Sequence, residues 1–309
     1  MPFVNLSHVT TYLYKQPVAF GEHRIMVRPR ESFDQHLLEA TLTIDPAPAD
    51  VRWLQDVFGN AVAIATFERR ASRLSFTSDV RVRHEPGDVQ YVDIEEYARS
   101  YPFTYSSEDM PDLLRSIERQ HLDPQREVDS WARRFLNPGG VTDTLALLTA
   151  MTTAIRREFT YQSRAEKGTQ TPIETLRRRK GTCRDYAILM IEAVRALGFA
   201  ARFVSGYVYS PSGTRDTRIG GGNTHAWVRV YLPGSGWVEF DPTNGIVGSA
   251  GLIRVAIARD IYQAVPISGT FDGFPGSFLD MQVSVDITVD PSPPRDVPVP
   301  ADTIGAVRC

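Results

Sequence analysis

Along the first quarter of the chain, apolar and polar positions alternate with a period of two. Residues 9–14, 23–27, 38–44, 61–67 and 74–82 are short runs rich in Val, Thr, Tyr, Phe and Ile, which suits a pleated surface buried on one face. Pro29, Pro46, Pro48 and the pair Gly59-Asn60 punctuate them, as turns between strands require. The spacing predicts five or so antiparallel strands in a small β-sandwich over residues 1–86. His8, His23, His36 and His84 are scattered through it and read as structural or surface residues.

After an acidic, tyrosine-bearing linker at 87–105, the period becomes helical. Short helices are predicted over 110–121 and 126–136, the second stopped by Asn137-Pro138-Gly139-Gly140. A longer one over 142–159 carries Leu145, Leu148, Met151, Thr152 and Ile155 on one face. Thr171-Pro172-Ile173-Glu174 is a capping box with proline at the first helical position, and Gly181 ends that helix. Another helix is predicted over 183–197, with Ala187, Met190, Ile191, Val194 and Leu197 as its apolar stripe. Strands follow over 201–209, 224–232 and 237–240, the last two joined by the hairpin turn Pro233-Gly234-Ser235-Gly236. One more strand alternates over 281–289. The proline-rich tail, 290–309, reads as extended or disordered. The chain is therefore α+β: an N-terminal β-sandwich at 1–86, a second unit with a helical lead-in at 87–289, and the tail.

Composition narrows the function. Hydrophobic residues are 42% and charged residues 23% of the 309, ordinary for a globular chain, and no apolar run approaches the roughly twenty residues of a membrane span. A net charge of −3 supplies no basic field for nucleic acid or anionic lipid, so neither is expected as a partner. The basic run Arg177-Arg178-Arg179-Lys180 reads as a solvated helix face near the C-terminal end of its dipole. Gly220-Gly221-Gly222 lacks the Gly-Lys-Ser/Thr of a phosphate loop. The start of the chain lacks a basic stretch followed by an apolar one, which makes the cytoplasm the default location. Cys183 and Cys309 are the only cysteines, excluding a disulfide scaffold and a four-cysteine zinc site. Neither Cys nor His clusters, so no metal and no organic cofactor is expected.

Cys183 follows a Gly-Thr stop and opens an apolar helix. Free N–H groups there favour a thiolate and can bind the oxyanion formed when sulfur attacks a carbonyl. A thiolate nucleophile needs a base, usually His, and an orienter for it. His225 and Asp241 are placed symmetrically about Pro233, in the hairpin turn. Directly opposed strand residues have Cβ atoms about 4.5–5.5 Å apart, so the two would form an imidazole–carboxylate pair. Taken singly, each has a plainer reading: Cys183 as a small core residue, His225 as a structural strand residue, and Asp241-Pro242 as a turn starter. Whether Cys183 docks on the pair is open at this level.

Four blocks carry a family resemblance. They are Gly181-Thr182-Cys183-Arg184-Asp185-Tyr186-Ala187, the run 195–207, Thr224-His225-Ala226-Trp227-Val228, and the run 236–244. In this order and with these gaps they resemble the core of bacterial transglutaminase-like proteins. The strand-rich start resembles the domain that precedes this core in many members, so the likeness covers roughly residues 3–270. It implies a papain-like core of helices packed on an antiparallel sheet, with Cys183 as nucleophile, His225 as base and then acid, and Asp241 as orienter. The Cys183 N–H would supply part of the oxyanion hole, and Tyr161 or Gln162 the remaining donor. Asp185 reads as structural, in the first turn of its helix. Trp227 shares a strand face with His225, either as a shield of the ion pair or simply as a core aromatic. The implied activity is a thioester-forming amide hydrolase or acyl transferase of cysteine-peptidase type, with a peptide or protein substrate. A protein-glutamine transglutaminase and a catalytically silent peptide-binding module are the alternatives. No calcium loop of the Asp-x-Asp-x-Asp-Gly type is present, which tilts the reading toward hydrolysis.

Overall fold

The structure, a computed structural model, describes residues 2–86, 92–163, 168–210 and 218–290. Part of the predicted linker, Cys309 and the proline-rich tail from 291 on lie outside the described residues. The first two predicted strand runs are one strand, β1 (Phe3–Ile25). Its pairing register shifts between Leu13 and Val18, and such an irregularity bends a strand, letting it serve two leaves of sheet. β2 (Gln35–Asp45), β3 (Asp50–Gln55), β4 (Ala61–Thr66) and β5 (Ala71–His84) complete the predicted region. The first half of β1 pairs with β5, and β2 joins β5. The second half pairs with β4, and β3 joins β4. The leaves close on Val18, Ile25, Ala63, Ala65, Leu74 and Phe76. The sandwich-like antiparallel unit expected from the alternation is thus present. β3 went unpredicted because four of its six residues are exposed and its sequence does not alternate.

The second unit begins with β6 (Ser100–Tyr101), then α1 (Met110–Ile117) and α2 (Glu127–Arg133). β7 (Thr142–Asp143) pairs with β6 and leads into α3 (Thr144–Glu158). β8 (Thr160–Tyr161), α4 (Pro172–Arg178) and β9 (Lys180–Gly181) lead to α5 (Cys183–Ala196). The sheet then builds from β10 (Ala201–Val208), β11 (His225–Leu232), β12 (Gly236–Asp241), β13 (Ile246–Val247) and β14 (Leu252–Ala258). Its order is β13-β12-β11-β10-β14, antiparallel throughout. α5 lies on it, with Leu189, Met190, Ala193 and Val194 in one core with Ala201, Val228 and Val230. Arg184 is the one exposed residue between Cys183 and Arg195. The buried charges of α5 are satisfied. Glu192 accepts from the N–H groups of Gln120 and His121, and Arg195 donates to the carbonyls of Ser116, Ala201 and Arg259. Such pairing is what makes buried charges tolerable. The basic run at the end of α4 is exposed, with Arg177 paired to Glu127 and Arg179 to Glu158.

The chain then returns to its start. β15 (Ile267–Asp272) and β16 (Phe278–Asp290) both pair antiparallel with β1. The strand predicted over 281–289 forms, and its partner is the first strand of the protein. A second seam joins the units: Val4, Leu6, Val80 and Val82 pack on Tyr207, Tyr209, Ile253 and Val255. His8 and His84 hydrogen-bond the hydroxyls of Tyr207 and Tyr209 at 2.8 and 2.7 Å. Along with His23, bonded to the Gly21 carbonyl, they are buried structural residues.

Candidate active site

Local chemistry fixes where the thiol sits. Thr182 caps α5, and Asp185 completes a capping box by accepting the Thr182 N–H at 2.8 Å. Its other oxygen accepts the Gln170 N–H at 2.7 Å, so Asp185 is structural, as expected. A Cβ at Gly181 would lie 2.9 Å from the Asp185 Cβ, hence the glycine. Cys183 is the first helical residue and is buried. The N–H groups of the first turn have no intrahelical acceptor and carry the positive end of the dipole. Two short strands bring in a neighbour: Tyr161 on β8 pairs with Gly181 on β9. Burial, with the charge of the neighbouring Cys183 sulfur, pushes the Tyr161 phenol up to about 12. Gln162 is exposed, and its N–H is taken by the Gly181 carbonyl at 2.9 Å.

The hairpin of β11 and β12 delivers the other two groups, with a register that differs from the expected one. Leu232 pairs with Gly236 and Val228 with Phe240, which centres the hairpin on Gly234 rather than Pro233. His225 and Asp241 are therefore diagonal neighbours, a spacing that side chains of this length still bridge. His225 Nε2 lies 2.8 Å from Asp241 Oδ2, and both side chains are fully buried. A carboxylate only accepts, so Nε2 carries the proton. Asp241 also accepts the Asn244 side-chain amide on Oδ2 at 2.8 Å, and the N–H groups of Thr243 and Asn244 on Oδ1 at 2.9 and 3.3 Å.

Burial works against charge on all three groups, and their mutual interactions overcome it. Burial opposes ionisation of Asp241, yet the His225 charge and four donated hydrogen bonds hold it below the usual carboxylate range. Burial opposes protonation of His225, but Asp241 and the thiol raise the imidazole to about 10. Burial opposes the Cys183 thiolate, but His225, helped by Arg184, lowers the thiol below its ordinary value. With Nε2 held by Asp241, Nδ1 is left for the sulfur. Among the described residues it has no partner of full hydrogen-bond geometry, and catalytic contacts of this kind often reach that geometry only with substrate bound. The arrangement can hold a thiolate–imidazolium pair away from water.

Behind the imidazole lies support of which the sequence reading named only Trp227. Trp227 stacks on His225, with ring centroids 5.9 Å apart and planes at 25°. Its Nε1–H donates to Glu239 Oε2 at 2.6 Å. Glu239 Oε1 meets Arg254 at 3.2 Å and Arg229 at 3.1 Å. Arg254 in turn pairs with Asp34 of the first unit. Glu239 and Arg254 are buried, and a charged residue inside an apolar strand run was the available signal. Asn244 carried a signal too, within the block after Asp241.

Two matches with family models divide the chain similarly. Residues 4–83 match the bacterial transglutaminase-like N-terminal region, and 130–242 match the transglutaminase-like superfamily. An uncharacterized protein of Mycobacterium tuberculosis is 29% identical over 288 residues, 91% of each chain. A protein-glutamine gamma-glutamyltransferase of Pseudomonas aeruginosa is 38% identical over 68 residues, 21% of this chain and 10% of that one. The crystal structure of a candidate cysteine protease from Cytophaga hutchinsonii shares the fold, with a TM-score of 0.67 and 21% identity over 93% of this chain and 90% of that one. The chain belongs to the transglutaminase-like superfamily, with the bacterial transglutaminase-like N-terminal region ahead of its core.

Proposed function

We propose that the protein is a thiol-dependent amide hydrolase or acyl transferase of cysteine-peptidase type, with Cys183, His225 and Asp241 as its triad. The observation that carries this is the buried His225–Asp241 pair, Nε2 to Oδ2 at 2.8 Å, with His225 lining one slot with Cys183 at the start of α5. The sulfur attacks an amide or ester carbonyl carbon, and the oxyanion is met by the N–H of Cys183 and the Tyr161 hydroxyl. The imidazolium gives its proton to the leaving amine as the C–N bond breaks, leaving a thioester. His225 then takes a proton from water, which attacks the thioester and releases a carboxylic acid and the thiolate. Asp241 keeps the imidazole in the required tautomer and orientation, as orienters of this type do. Transfer to an amine uses the same groups. The short likeness to a gamma-glutamyltransferase supports that second reading. The intact, charge-coupled set argues against a silent binding module, which has no need of it.

The test is p-nitrophenyl acetate followed by intact-mass spectrometry. A burst of about one nitrophenolate per chain, with one acetyl group on Cys183, supports the reading. Its absence in wild type, or its persistence in Cys183→Ala, refutes it. Faster deacylation with added alkylamine would favour transfer over hydrolysis.

A further inference from the structure

The nucleophile opens into two joined spaces. Cys183 and His225 line a slot of only about 40 Å³. Arg184, Thr224, Val265 and Pro266 line it and also line a second cleft of about 510 Å³. The far wall of that cleft comes from the first unit and its returning strands. β1 supplies Tyr12 and Tyr14, β15 supplies Phe271, and β16 supplies Phe278 and Met281. Phe271 and Phe278 stand edge-on to Tyr14, with centroids 4.8 and 6.1 Å away. Phe271 is 40% exposed and Met281 is 50% exposed. An aromatic surface thus faces solvent at the approach to the sulfur, where apolar contacts bind ligands.

Among the described residues, the charge in the cleft has one sign. No carboxylate lines it among the described residues. His8 and His23 do, and burial lowers both imidazoles, His8 to about 4, so they are neutral near pH 7. Arg184 is the remaining cation among the described lining residues. It is exposed, and its guanidinium makes no ion pair among the described residues. It stands next to the nucleophile in sequence and lines both spaces. A guanidinium with no ion pair among the described residues, between an apolar wall and a nucleophile, is suited to a carboxylate on the reacting partner.

Building on the catalytic reading above, we propose that this cleft selects the acyl donor: a peptide with a carboxylate beside the reacting carbonyl, held by Arg184, and an aromatic residue further out, held by Tyr14, Phe271 and Phe278. The first unit and β15–β16 then act as the specificity wall of the enzyme. The specificity residues are Arg184 and Phe271.

The probes are acetyl-Phe-Asp, acetyl-Ala-Asp and acetyl-Phe-Lys chloromethyl ketones. In each, the Cys183 sulfur displaces chloride from the methylene carbon, and the adduct is read by mass. Comparing probes at one sulfur cancels any effect of a substitution on the thiol itself. The Phe-Asp probe should react about tenfold faster than either other probe, the scale of one charge-assisted contact at a partly exposed site. Arg184→Gln should remove the Asp-over-Lys preference and keep the Phe-over-Ala one, and Phe271→Ala should do the reverse. Iodoacetamide is the control for the catalytic reading. Equal probe rates on a protein whose thiol reacts readily with iodoacetamide at pH 7 would overturn the cleft assignment and leave the triad standing. Preferences that survive both substitutions would also overturn it. A thiol inert to iodoacetamide would overturn both.

Discussion

Glu239→Gln isolates the network behind the imidazole. The carboxylate accepts from the Trp227 indole on one oxygen and from Arg254 on the other, which also ion-pairs with Arg229. Glutamine keeps one acceptor and turns an NH2 group toward a donor. The buried guanidinium of Arg254 and the half-buried one of Arg229 lose a counter-charge as well. Removing one member of a buried ion pair costs about 3–5 kcal/mol. Arg254 keeps Asp34, so the lower end applies, about 3 kcal/mol. At roughly 2 °C per kcal/mol for a chain this long, the Tm should fall by about 6 °C. The functional effect has a direction too. The two guanidinia draw the amide oxygen, so the NH2 group faces the indole; Trp227 loses its anchor, the ring stacked on His225 is no longer held, and alkylation of Cys183 at pH 7 should slow. Calorimetry and iodoacetamide kinetics on the same preparation read both. A Tm within about 1 °C of wild type, with an unchanged alkylation rate, would refute the claim that this network holds the imidazole.

Other substitutions probe single contacts. Gly220→Ala adds a Cβ 2.6 Å from His225 Nδ1, at a φ of +98°; thiol alkylation at pH 7 should fall at least tenfold, while circular dichroism shows a native fold. Tyr161→Phe removes the hydroxyl beside the sulfur and should slow acylation by about 10²-fold, the typical cost of one oxyanion donor, whereas Gln162→Ala should leave the burst rate unchanged. Asn244→Ala removes a hydrogen bond to Asp241 Oδ2 and should raise that carboxyl; the carboxylate, still ionised but with one donor fewer, holds the imidazolium more strongly, measurable as a basic shift in the alkaline limb of the acylation profile. In wild type, that limb should lie near pH 10, where His225 deprotonates, and the acid limb should lie below the ordinary thiol range, where Cys183 regains its proton.

Features set by local chemistry were legible in the sequence. The capping boxes at Thr171 and Thr182 fix the starts of α4 and α5, and α3 falls inside its predicted span. Cys183 could be placed at a helix start from the Gly-Thr stop before it and the apolar stripe after it, and the box at Thr182 is the local chemistry behind that start. The hairpin was legible to within two positions. Its loop is Pro233-Gly234-Ser235, with positive φ at Gly234 and Gly236, and symmetry about Pro233 assumed direct opposition where the pairing is diagonal. β14 was not legible because all seven of its residues are buried, so nothing alternates. The pairing of β15 and β16 with β1 left no local trace, since register between strands this far apart in sequence is decided by packing. For the same reason, the cleft at Arg184 and the link from Asp34 to Trp227 emerge only in three dimensions.

The central claim is that Cys183 is held as a thiolate by His225. Its most direct test is the rate of iodoacetamide alkylation of Cys183 across pH, in wild type and His225→Ala. The account predicts a thiol that titrates well below about 8.5, reacts at neutral pH, and loses that reactivity in the variant. An ordinary titration, unchanged by the substitution, would contradict it.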